Sequence, residues 1–376
     1  MIVFFSNFIN EHQIPFCNAM YEKTGGQFRF VATEPISEER LRLGFVDHSD
    51  EFPYVVKAYD GEAGRAEALR LGRDADVVII GSAPDEYIKE RLKENKLTFR
   101  YWERFFRKGY WRILNPRTLL GCYRVHTRYR KKNLCMLCAS AYTAPDCRFI
   151  HAYPKKTYKW GYFPPVTIYE SVDLVLQNKK KNSILWVARY IKLKHPEAPL
   201  SVAKRLRDAG YEFELNFIGR GELEDEIRSF IEQNGLQNHV HLLGSMSPEE
   251  VRHHMEESEI FLFTSDKQEG WGAVLNESMN SACADVASGA IGSVPYLLKS
   301  GENGLVYRDG NLDDLYEKVK FLLDHPEERA AYGRAAYQTL TDVWNADVAA
   351  ERLLTLIENL QNGKDSPFAD GPCSKD

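Results

Sequence analysis

The chain has 376 residues, of which 44% are hydrophobic and 27% charged, and it is longer than one core usually organises, so we expect two domains. The net charge of −5 gives no overall sign of nucleic-acid binding, and no apolar run approaches the roughly 20 residues of a membrane helix. Seven cysteines without framework spacing, and a start without the basic residues of a secretory signal, predict reduced thiols and a cytoplasmic protein.

The first half alternates apolar strands with helical patterns. This alternation predicts an α/β domain with a parallel sheet over residues 1–165, with a helix near 15–22. A Gly- and Pro-containing aromatic stretch, Trp160–Pro165, marks the predicted domain boundary. The predicted strands are Ile2–Phe5, Phe28–Ala32, Asp76–Ile80 and Asn133–Ala139.

The second half repeats the alternation and predicts a second Rossmann-like domain over residues 166–339. A C-terminal helix at about 340–361 is a candidate to pack back on the first domain, and residues 362–376 are expected to form a disordered tail. The fold class is therefore α/β, with two Rossmann-like domains facing across a cleft. The predicted strands of the second half are Ser183–Val187, Glu214–Ile218, Val240–Leu243, Ile260–Thr264 and Val286–Ala287.

The most informative motif is the run from Ser265 to Glu277, which follows an apolar strand and leads into a predicted helix. Such an order aims free backbone N–H groups at a ligand above the sheet, and phosphate is the usual occupant. The carboxylates of Glu269 and Glu277 only accept hydrogen bonds, so they suit sugar or ribose hydroxyls. The motif therefore indicates a diphosphate between two hydroxylated groups, as in a nucleotide-sugar. A capped surface helix with two solvated glutamates is the open alternative.

Two cations follow the first strand of the second half. Arg189 and Lys194 suit the two phosphates of a nucleotide diphosphate. Without a metal, departure of a diphosphate also needs fixed positive charge, because charge develops there in the transition state. The alternative is a solvated basic loop, which we favour for Lys192. A Gly219–Gly221 turn follows the next strand, and parallel strand ends meet at one edge of a sheet.

Together these elements resemble the family-4 retaining glycosyltransferases with the two-domain GT-B fold. The resemblance covers roughly residues 180–345 and is weaker before them. The stretch from Ser6 to Pro15 looks like that of bacterial members that build capsular polysaccharides and exopolysaccharides. The matching elements are Glu269 with Glu277, Arg189 with Lys194, Gly219–Gly221, Gly289–Pro295 and Gly301–Gly304.

The resemblance implies a role for each matching residue. It assigns Glu269 to the hydroxyls of the donor sugar, Glu277 to the ribose, and Arg189 and Lys194 to the diphosphate. It also implies retention of the anomeric configuration, with no catalytic metal and no cofactor. The remaining residues implied to bind the donor are Gly219 and Arg220 beside the base, and Gly270, Trp271, Gly272, Ala273, Val274 and Leu275.

The acceptor side departs from the family pattern. Many members carry a Gly-Gly turn after the first strand, whereas this chain has Asn10, His12 and Gln13 there. These side chains are candidates to replace the turn's contact with the acceptor, and His12 is a candidate catalytic residue. His126 has a similar loop context, and for both histidines an ordinary surface position is the alternative. Weaker candidates are Glu103 on the acceptor side and Ser140 in the cleft.

Two acidic features require an explanation. Asp285 stands in an otherwise apolar strand, so either it has a partner or the strand is locally exposed. Asp74 and Asp76 have the spacing of a metal motif of another glycosyltransferase class, but they lead into a strand. We interpret them as a strand-entry turn and predict no metal site. Cys135 and Cys138 lack a second cluster of ligands, and we predict a buried pair of small residues there.

Residues 100–132 are basic and aromatic, with Glu103 as the one acid. Such a segment suits peripheral attachment to anionic lipid, so we expect the first domain to dock on the inner face of the plasma membrane. A polyprenyl-diphosphate-linked acceptor would be available there. RNA binding lacks a supporting signature, and a solvated helical face is the alternative. The cations are Arg100, Arg104, Arg107, Lys108, Arg112, Arg117, Arg124, Arg128, Arg130, Lys131 and Lys132.

The predicted function is therefore transfer of a sugar from a UDP-sugar to a glycan or lipid-linked acceptor in surface polysaccharide synthesis. A nucleotide-sugar epimerase without a hydride cofactor would share the fold, but it gives no reason for the basic segment. A non-catalytic nucleotide-binding or membrane scaffold would not need the sugar-facing Glu269. A dinucleotide oxidoreductase is excluded, because no Gly-X-Gly-X-X-Gly follows the first strand of either half.

Overall fold

The computed structural model describes residues 1–38 and 46–376. The described chain divides into two compact units, one made of Met1–Pro165 with Trp344–Asp376 and the other of Val166–Val343. Each unit is built around one parallel β-sheet with its own cluster of buried apolar side chains. The predicted fold class of two Rossmann-like α/β domains is confirmed.

The sheet of the first unit has the strands β1 (Ile2–Ser6), β2 (Phe28–Ala32), β3 (Val55–Lys57), β4 (Val77–Ile80), β5 (Thr98–Trp102), β6 (Leu134–Cys138) and β7 (Thr157–Lys159). Their order is β3-β2-β1-β4-β5-β6-β7, and every neighbouring pair is parallel. Strands β1, β4 and β6 are buried throughout, as expected for a sheet covered on both faces. The sequence analysis missed β3, β5 and β7, because two of them are short and β5 contains Arg100.

The helices of the first unit are α1 (Ile14–Lys23), α2 (Gly61–Asp74), α3 (Lys89–Lys93), α4 (Pro116–Val125), α5 (Thr143–Phe149) and, from the end of the chain, α14 (Ala346–Gln361). Short 3₁₀ helices span Asp85–Ile88, Tyr110–Leu114 and Thr127–Tyr129. Helix α1 buries Phe16, whose ring meets the edge of Trp160 with centroids 5.2 Å apart. Helix α14 packs against α1. This packing positions the loop between β1 and α1.

The second unit has the strands β8 (Lys180–Val187), β9 (Glu214–Ile218), β10 (Val240–Gly244), β11 (Ser258–Phe263), β12 (Ala284–Ser288) and β13 (Leu305–Tyr307), in the order β10-β9-β8-β11-β12-β13. Its helices are α6 (Val172–Gln177), α7 (Glu197–Asp208), α8 (Glu224–Gln233), α9 (Pro248–Glu257), α10 (Val274–Asn280), α11 (Val294–Leu297), α12 (Leu312–Asp324) and α13 (Pro326–Asp342), with a 3₁₀ helix at Lys192–Lys194. Strands β9 and β10 lie on one side of β8, and β11, β12 and β13 lie on its other side, so the strand order reverses between β8 and β11. Ligands bind α/β sheets at such a switch point.

Asp285 on β12 is fully buried and has a partner. Its Oδ1 accepts a hydrogen bond from the hydroxyl of Ser278, and burial raises its pKa well above the ordinary value. The nearby Lys179 ammonium donates to the carbonyl oxygens of Ser258 and Ser281, each at 2.8 Å. Of the two explanations considered for Asp285, the partnered one is correct.

The C-terminal residues are ordered, so the prediction of a disordered tail is wrong. Cys373 and Ser374 are fully buried. The Lys159 amide donates to the carbonyl of Ser374 and the Cys373 amide to that of Lys159, both at 2.8 Å. The edge strand β7 offers unpaired backbone groups, which the tail satisfies. Composition does not reveal this pairing, because it uses backbone atoms.

Only part of the basic segment 100–132 is exposed at the surface of the protein. Arg100 is 1% exposed and its guanidinium pairs with Asp85 at 2.8 Å, while Phe106 is also 1% exposed. The inclusion of Arg100 in a lipid-facing surface is therefore wrong, because it lies on the buried strand β5. In contrast, Trp111 is 69% and Leu114 is 81% exposed.

We expect Cys373→Asp to lower the free energy of unfolding by about 3 kcal/mol or more, because it buries an unpaired charge. The control is Asn362→Asp, a new acid at an exposed position before the same segment. Urea unfolding of both variants measures the difference. Equal stability of the two variants would contradict the packed tail.

Candidate functional site

The loop from Thr264 to Ala273 connects β11 to α10. The backbone N–H groups of Gln268 and Glu269 donate to the side chain and the carbonyl of Asp266, at 2.7 and 3.0 Å, and make a tight turn. Gly272 has φ +81°, and a Cβ there would lie 2.3 Å from the Phe263 ring. The loop therefore requires glycine at this position, which fixes its approach to the helix.

The Glu269 carboxylate forms an ion pair with the Lys194 ammonium, and each side chain is 15% exposed. Lys194 follows β8 and Glu269 follows β11, and these two strands are neighbours in the sheet. The strand order therefore brings these two residues together at the carboxyl edge of the sheet. One carboxylate offers about four lone-pair sites, so Glu269 can bind Lys194 and still accept from a ligand hydroxyl.

A buried hydrogen-bond chain holds the Lys194 loop. The indole Nε1 of Trp186 donates to the Thr264 hydroxyl at 2.8 Å, and this hydroxyl donates to the Lys194 carbonyl at 2.7 Å. The Asp266 amide also donates to the Leu193 carbonyl at 3.0 Å. Thr264 and Trp186 are 2% and 1% exposed, so water does not compete for these bonds.

His195 is a part of this site that the sequence analysis missed. It has a left-handed backbone with φ 52°. Its Nδ1 lies 2.6 Å from Oε1 of Glu197 and its Nε2 3.5 Å from Oδ2 of Asp266. The hydrogen bond to Glu197 and the charges of the two carboxylates raise the pKa of His195. Its spacing from those acids in the sequence shows no motif.

The Gly219–Gly221 turn packs closely against the β8 loop. A Cβ on Gly219 would lie 2.0 Å from the Ala188 carbonyl oxygen, and one on Gly221 would lie 2.4 Å from that of Tyr190. The Tyr190 amide donates to the Arg220 carbonyl at 2.9 Å. The two loops can approach each other this closely only with glycine at both positions.

The remaining predicted donor-binding residues differ in exposure. The guanidinium of Arg189 is exposed and makes no hydrogen bond or ion pair within the described ranges. Arg220 is 63% exposed and pairs with Glu224. Glu277 is the fourth residue of α10 and is half-buried.

The loop itself contributes mainly its backbone. Trp271 and Leu275 are buried, and the Trp271 indole donates to Asn276 at 2.9 Å, so a ligand could reach only their backbone. Gly270 is buried as well, whereas Gly272, Ala273 and Val274 are half-buried.

The first unit has its own cavity of about 340 Å³ at the carboxyl ends of β1, β4, β5 and β7. Four predicted acceptor-side residues, Asn10, His12, Gln13 and Glu103, line it. Burial lowers the pKa of His12, which favours the neutral ring. Ser140 is fully buried and accepts from the Tyr142 amide at 3.3 Å in the turn after β6.

His126 does not lie at the surface. It is 5% exposed, its ring stacks on Phe105 with centroids 4.4 Å apart, and Nδ1 lies 2.7 Å from the Tyr153 hydroxyl. Burial and the charge of Arg100 lower its pKa to about 3. The alternative of an ordinary surface position is therefore wrong for His126, because the chain after α4 turns this residue into the core. Its predicted contact with an acceptor stays a prediction.

We expect His195 to give the folded state a pH-dependent stability. Because its folded pKa is raised, this contribution is complete below the ordinary histidine pKa of about 6.5 and is lost as the pH rises through the raised value. The melting temperature of the wild type should therefore exceed that of His195→Asn at pH 6 by more than at pH 8.5. Asparagine tolerates the left-handed backbone.

The matched control is His151→Asn, at an exposed histidine with φ 53°. No carboxylate contact is found for His151 in the described part of the chain, so this variant should not reproduce the trend. The same pH dependence in both variants would contradict the role of Glu197 and Asp266.

Comparison with known proteins supports the family resemblance. Residues 172–339 match the model of the glycosyl transferases group 1. An uncharacterized glycosyltransferase of Methanocaldococcus jannaschii is 29% identical over 171 residues, which cover 45% of this chain and 46% of the relative. The amylovoran biosynthesis glycosyltransferase of Erwinia amylovora is 26% identical over 182 residues, covering 47% and 44%.

A third relative is the N-acetylgalactosamine-N,N'-diacetylbacillosaminyl-diphospho-undecaprenol 4-alpha-N-acetylgalactosaminyltransferase of Campylobacter jejuni. It is 30% identical over 165 residues, which cover 44% of this chain and 42% of the relative. The chain thus spans less than half the length of each of these three curated relatives.

Solved structures show the fold over nearly the whole chain. Anabaena HepE in complex with UDP has a TM-score of 0.68 at 12% identity and covers 96% of this chain and 99% of HepE. A glycosyltransferase of Rickettsia africae has a TM-score of 0.66 at 13% identity, covering 96% and 99%. Such identities show the fold alone, and this fold is GT-B. Residues 172–339 thus match the glycosyl transferases group 1 model, and the chain as a whole has the GT-B fold.

Proposed function

We propose that the protein is a glycosyltransferase that transfers a sugar from a UDP-sugar to a glycan or lipid-linked acceptor in surface polysaccharide synthesis. The observation that carries this proposal is the Lys194–Glu269 ion pair, which the chain places at the carboxyl ends of β8 and β11. This edge is where α/β sheets bind nucleotides. The exposed guanidinium of Arg189 lies in the same loop as Lys194.

The cations act on the leaving group. When the bond between the sugar and the diphosphate breaks, negative charge grows on the phosphate oxygens, and Lys194 and Arg189 stabilise that charge. Lys194 is already held by Glu269 and by the Thr264 hydroxyl, so little reorganisation accompanies the reaction. No step in this proposal requires a metal. The diphosphate leaves and the acceptor hydroxyl attacks on the same face of the sugar, and a phosphate oxygen of the leaving group takes the proton of that hydroxyl.

Glu269 has a second role as a hydrogen-bond acceptor. Its remaining lone pairs would bind the donor sugar's hydroxyls and set the sugar's position relative to the diphosphate. Glu277 would accept from the ribose hydroxyls. The backbone from Gly270 to Leu275 would contact phosphate, and Gly219 and Arg220 would border the base.

The relatives support this class of substrate. HepE has been solved with UDP, and the Campylobacter relative is named for transfer to a diphospho-undecaprenol-linked sugar. The Erwinia relative is named for biosynthesis of amylovoran. These properties belong to those proteins, and they motivate the choice of UDP-sugars and of lipid-linked acceptors as the first substrates to test.

Thermal shift in the presence of EDTA should identify the donor. UDP-sugars at about 100 times their dissociation constant should stabilise the protein by about 2.7 kcal/mol, whereas GDP-, ADP- and dTDP-sugars should not. Glu277→Ala should lose most of this stabilisation. In a separate assay with glycan acceptors, the wild type should release UDP from the UDP-sugar in the presence of EDTA. Binding without any release of UDP in the presence of glycan acceptors would favour the scaffold alternative.

Lys194→Met should lower kcat about 10²- to 10³-fold, because it removes a cation that stabilises the leaving diphosphate. Lys267→Met is the matched control, since Lys267 is exposed in the Glu269 loop. UDP-release kinetics with saturating donor measure the effect. A similar loss in both variants would indicate a general electrostatic effect, and an active Lys194→Met would contradict the assigned role.

We further infer that the first unit docks on the inner face of the plasma membrane. The surface would be the docking segment, residues 110–132, in which α4 has no buried residue. Leu119 and Tyr123 are 55% and 54% exposed there, beside exposed cations such as Arg124. Exposed apolar side chains flanked by cations are typical of peripheral membrane proteins. Across the described ranges, no helix is long and apolar enough to cross a membrane.

Co-sedimentation with vesicles tests the docking segment. We expect binding to vesicles that contain phosphatidylglycerol, weaker binding to phosphatidylcholine alone, and loss of most binding in Leu119→Asp. The control is Leu174→Asp, because Leu174 in the second unit is equally exposed at 55%. Equal binding of the wild type to neutral and anionic vesicles would contradict the electrostatic part of this inference.

A further inference from the structure

A second cavity of the first unit lies where β6 and β7 begin, at the edge of the sheet opposite to the cavity that His12 lines. We call it the amino-edge cavity, and its volume is about 510 Å³. Strand β6 has five residues and spans roughly 16 Å between the two edges, so a ligand in one cavity stays apart from a ligand in the other. The lining of the amino-edge cavity includes Arg130, Arg148, His151, Lys155, Asp365 and Lys375.

Three cations of the amino-edge cavity come from separate segments and lack a partner. Arg130 precedes β6, Arg148 lies in the last turn of α5, and Lys155 precedes β7. Their side chains are exposed and make no ion pair or hydrogen bond within the described residues 1–38 and 46–376. Like charges that are held near one another repel, and a bound anion offsets that repulsion.

The acids of the amino-edge cavity do not balance these three cations. Asp365 is paired with Lys375 at 2.6 Å and accepts from the Tyr158 hydroxyl at 2.9 Å. Asp376 supplies the remaining negative charge of the lining, and its backbone oxygen accepts from the Thr157 hydroxyl at 2.9 Å. The unpaired cations outnumber this charge, so the cavity attracts an anion.

One wall of the cavity has a left-handed backbone at three non-glycine residues. The φ angle is 53° at His151, 48° at Tyr153 and 60° at Lys155. Residues with a Cβ rarely adopt this conformation, and such strain concentrates at sites that bind ligands. The hydroxyl of the buried Tyr153 lies 2.7 Å from Nδ1 of His126. The Lys375 ammonium donates to the Lys155 carbonyl at 2.5 Å. These two contacts offset the strain and fix the wall before a ligand binds.

A phosphate group matches the chemistry of the amino-edge cavity. Guanidinium groups donate two parallel hydrogen bonds to phosphate oxygens, and an ammonium adds a compact positive charge. The volume lies within the range of small-molecule sites and leaves room for an organic part beside the phosphate. Carboxylates such as that of Asp376 accept hydrogen bonds from hydroxyls on that part.

We propose that the amino-edge cavity binds a phosphate-bearing group, supplied by the headgroup of an anionic lipid or by a soluble phosphate ester. Arg148 and Lys155 bind the phosphate oxygens. Arg130 also belongs to the docking segment, residues 110–132, so the cavity borders the proposed membrane surface. None of the residues proposed to bind the nucleotide-sugar takes part, so this inference does not rest on the proposed glycosyltransferase function.

Hydrogen exchange of the full chain, titrated with glycerol 1-phosphate, locates and measures the site. We expect a saturable slowing of exchange in peptides that contain residues 147–157. Lys155→Met and Arg148→Met should each raise the concentration for half-maximal slowing about tenfold, because each removes a charge-assisted hydrogen bond. Lys131→Met is the control, since Lys131 is exposed beside Arg130 and does not line the cavity. Residues 186–195 report separately on the nucleotide-sugar site, so a failure of that site leaves this measurement intact.

Co-sedimentation with phosphatidylglycerol vesicles identifies the source of the phosphate. Weaker vesicle binding of Lys155→Met than of Lys131→Met would identify a lipid headgroup. Equal vesicle binding of these two variants, with the response to glycerol 1-phosphate weakened only in Lys155→Met, would identify a soluble ester. Leu119→Asp should keep the response to glycerol 1-phosphate, which separates a failure of the docking segment from a failure of the cavity. Equal behaviour of Lys155→Met, Arg148→Met and Lys131→Met in both assays would overturn the inference.

Discussion

One buried hydroxyl holds the candidate site of the second unit together. Thr264 donates to the carbonyl of Lys194 at 2.7 Å and accepts from the Trp186 indole at 2.8 Å. It thereby joins the loops that follow β8 and β11 before any ligand is present. Without this junction and the backbone hydrogen bond from Asp266 to Leu193, the Lys194–Glu269 ion pair would have to order two separate loops at the expense of their conformational entropy. A cation that is fixed in advance stabilises developing charge more effectively than one that must be ordered during the reaction.

The two units differ in how they use charge at the carboxyl edges of their sheets. In the second unit, the guanidinium of Arg189 is exposed and unpaired within the described ranges, and Arg189 precedes Lys194 by five positions in the sequence. In the first unit, Arg107 is paired with Glu103, and the polar atoms left open belong to neutral groups. Of the two charge environments, the one in the second unit is therefore the one that matches the diphosphate of the proposed donor.

Much of the fold, and the strand–loop–helix order around the run Ser265–Glu277, could be predicted from the sequence, because apolar periodicity and a local run depend on nearby residues. The errors concern long-range contacts. The order of Cys373 comes from backbone pairing with an edge strand, and the burial of His126 comes from the turn after α4. The contacts of His195 with Glu197 and Asp266 depend on two loops that meet only in the folded unit. Such contacts have no signature in composition or spacing.

Hydrogen exchange of the full chain with and without saturating UDP, in the presence of EDTA, tests the central claim most directly. We expect slower exchange of backbone amides in three segments of the second unit, residues 186–195, 217–221 and 263–277. Peptides from the docking segment and from β7 should exchange at the same rate in both states. Slower exchange confined to the first unit would contradict the assignment of the nucleotide-sugar site to the Lys194–Glu269 pair. Unchanged exchange in all peptides, in a sample whose melting temperature UDP raises, would contradict it as well.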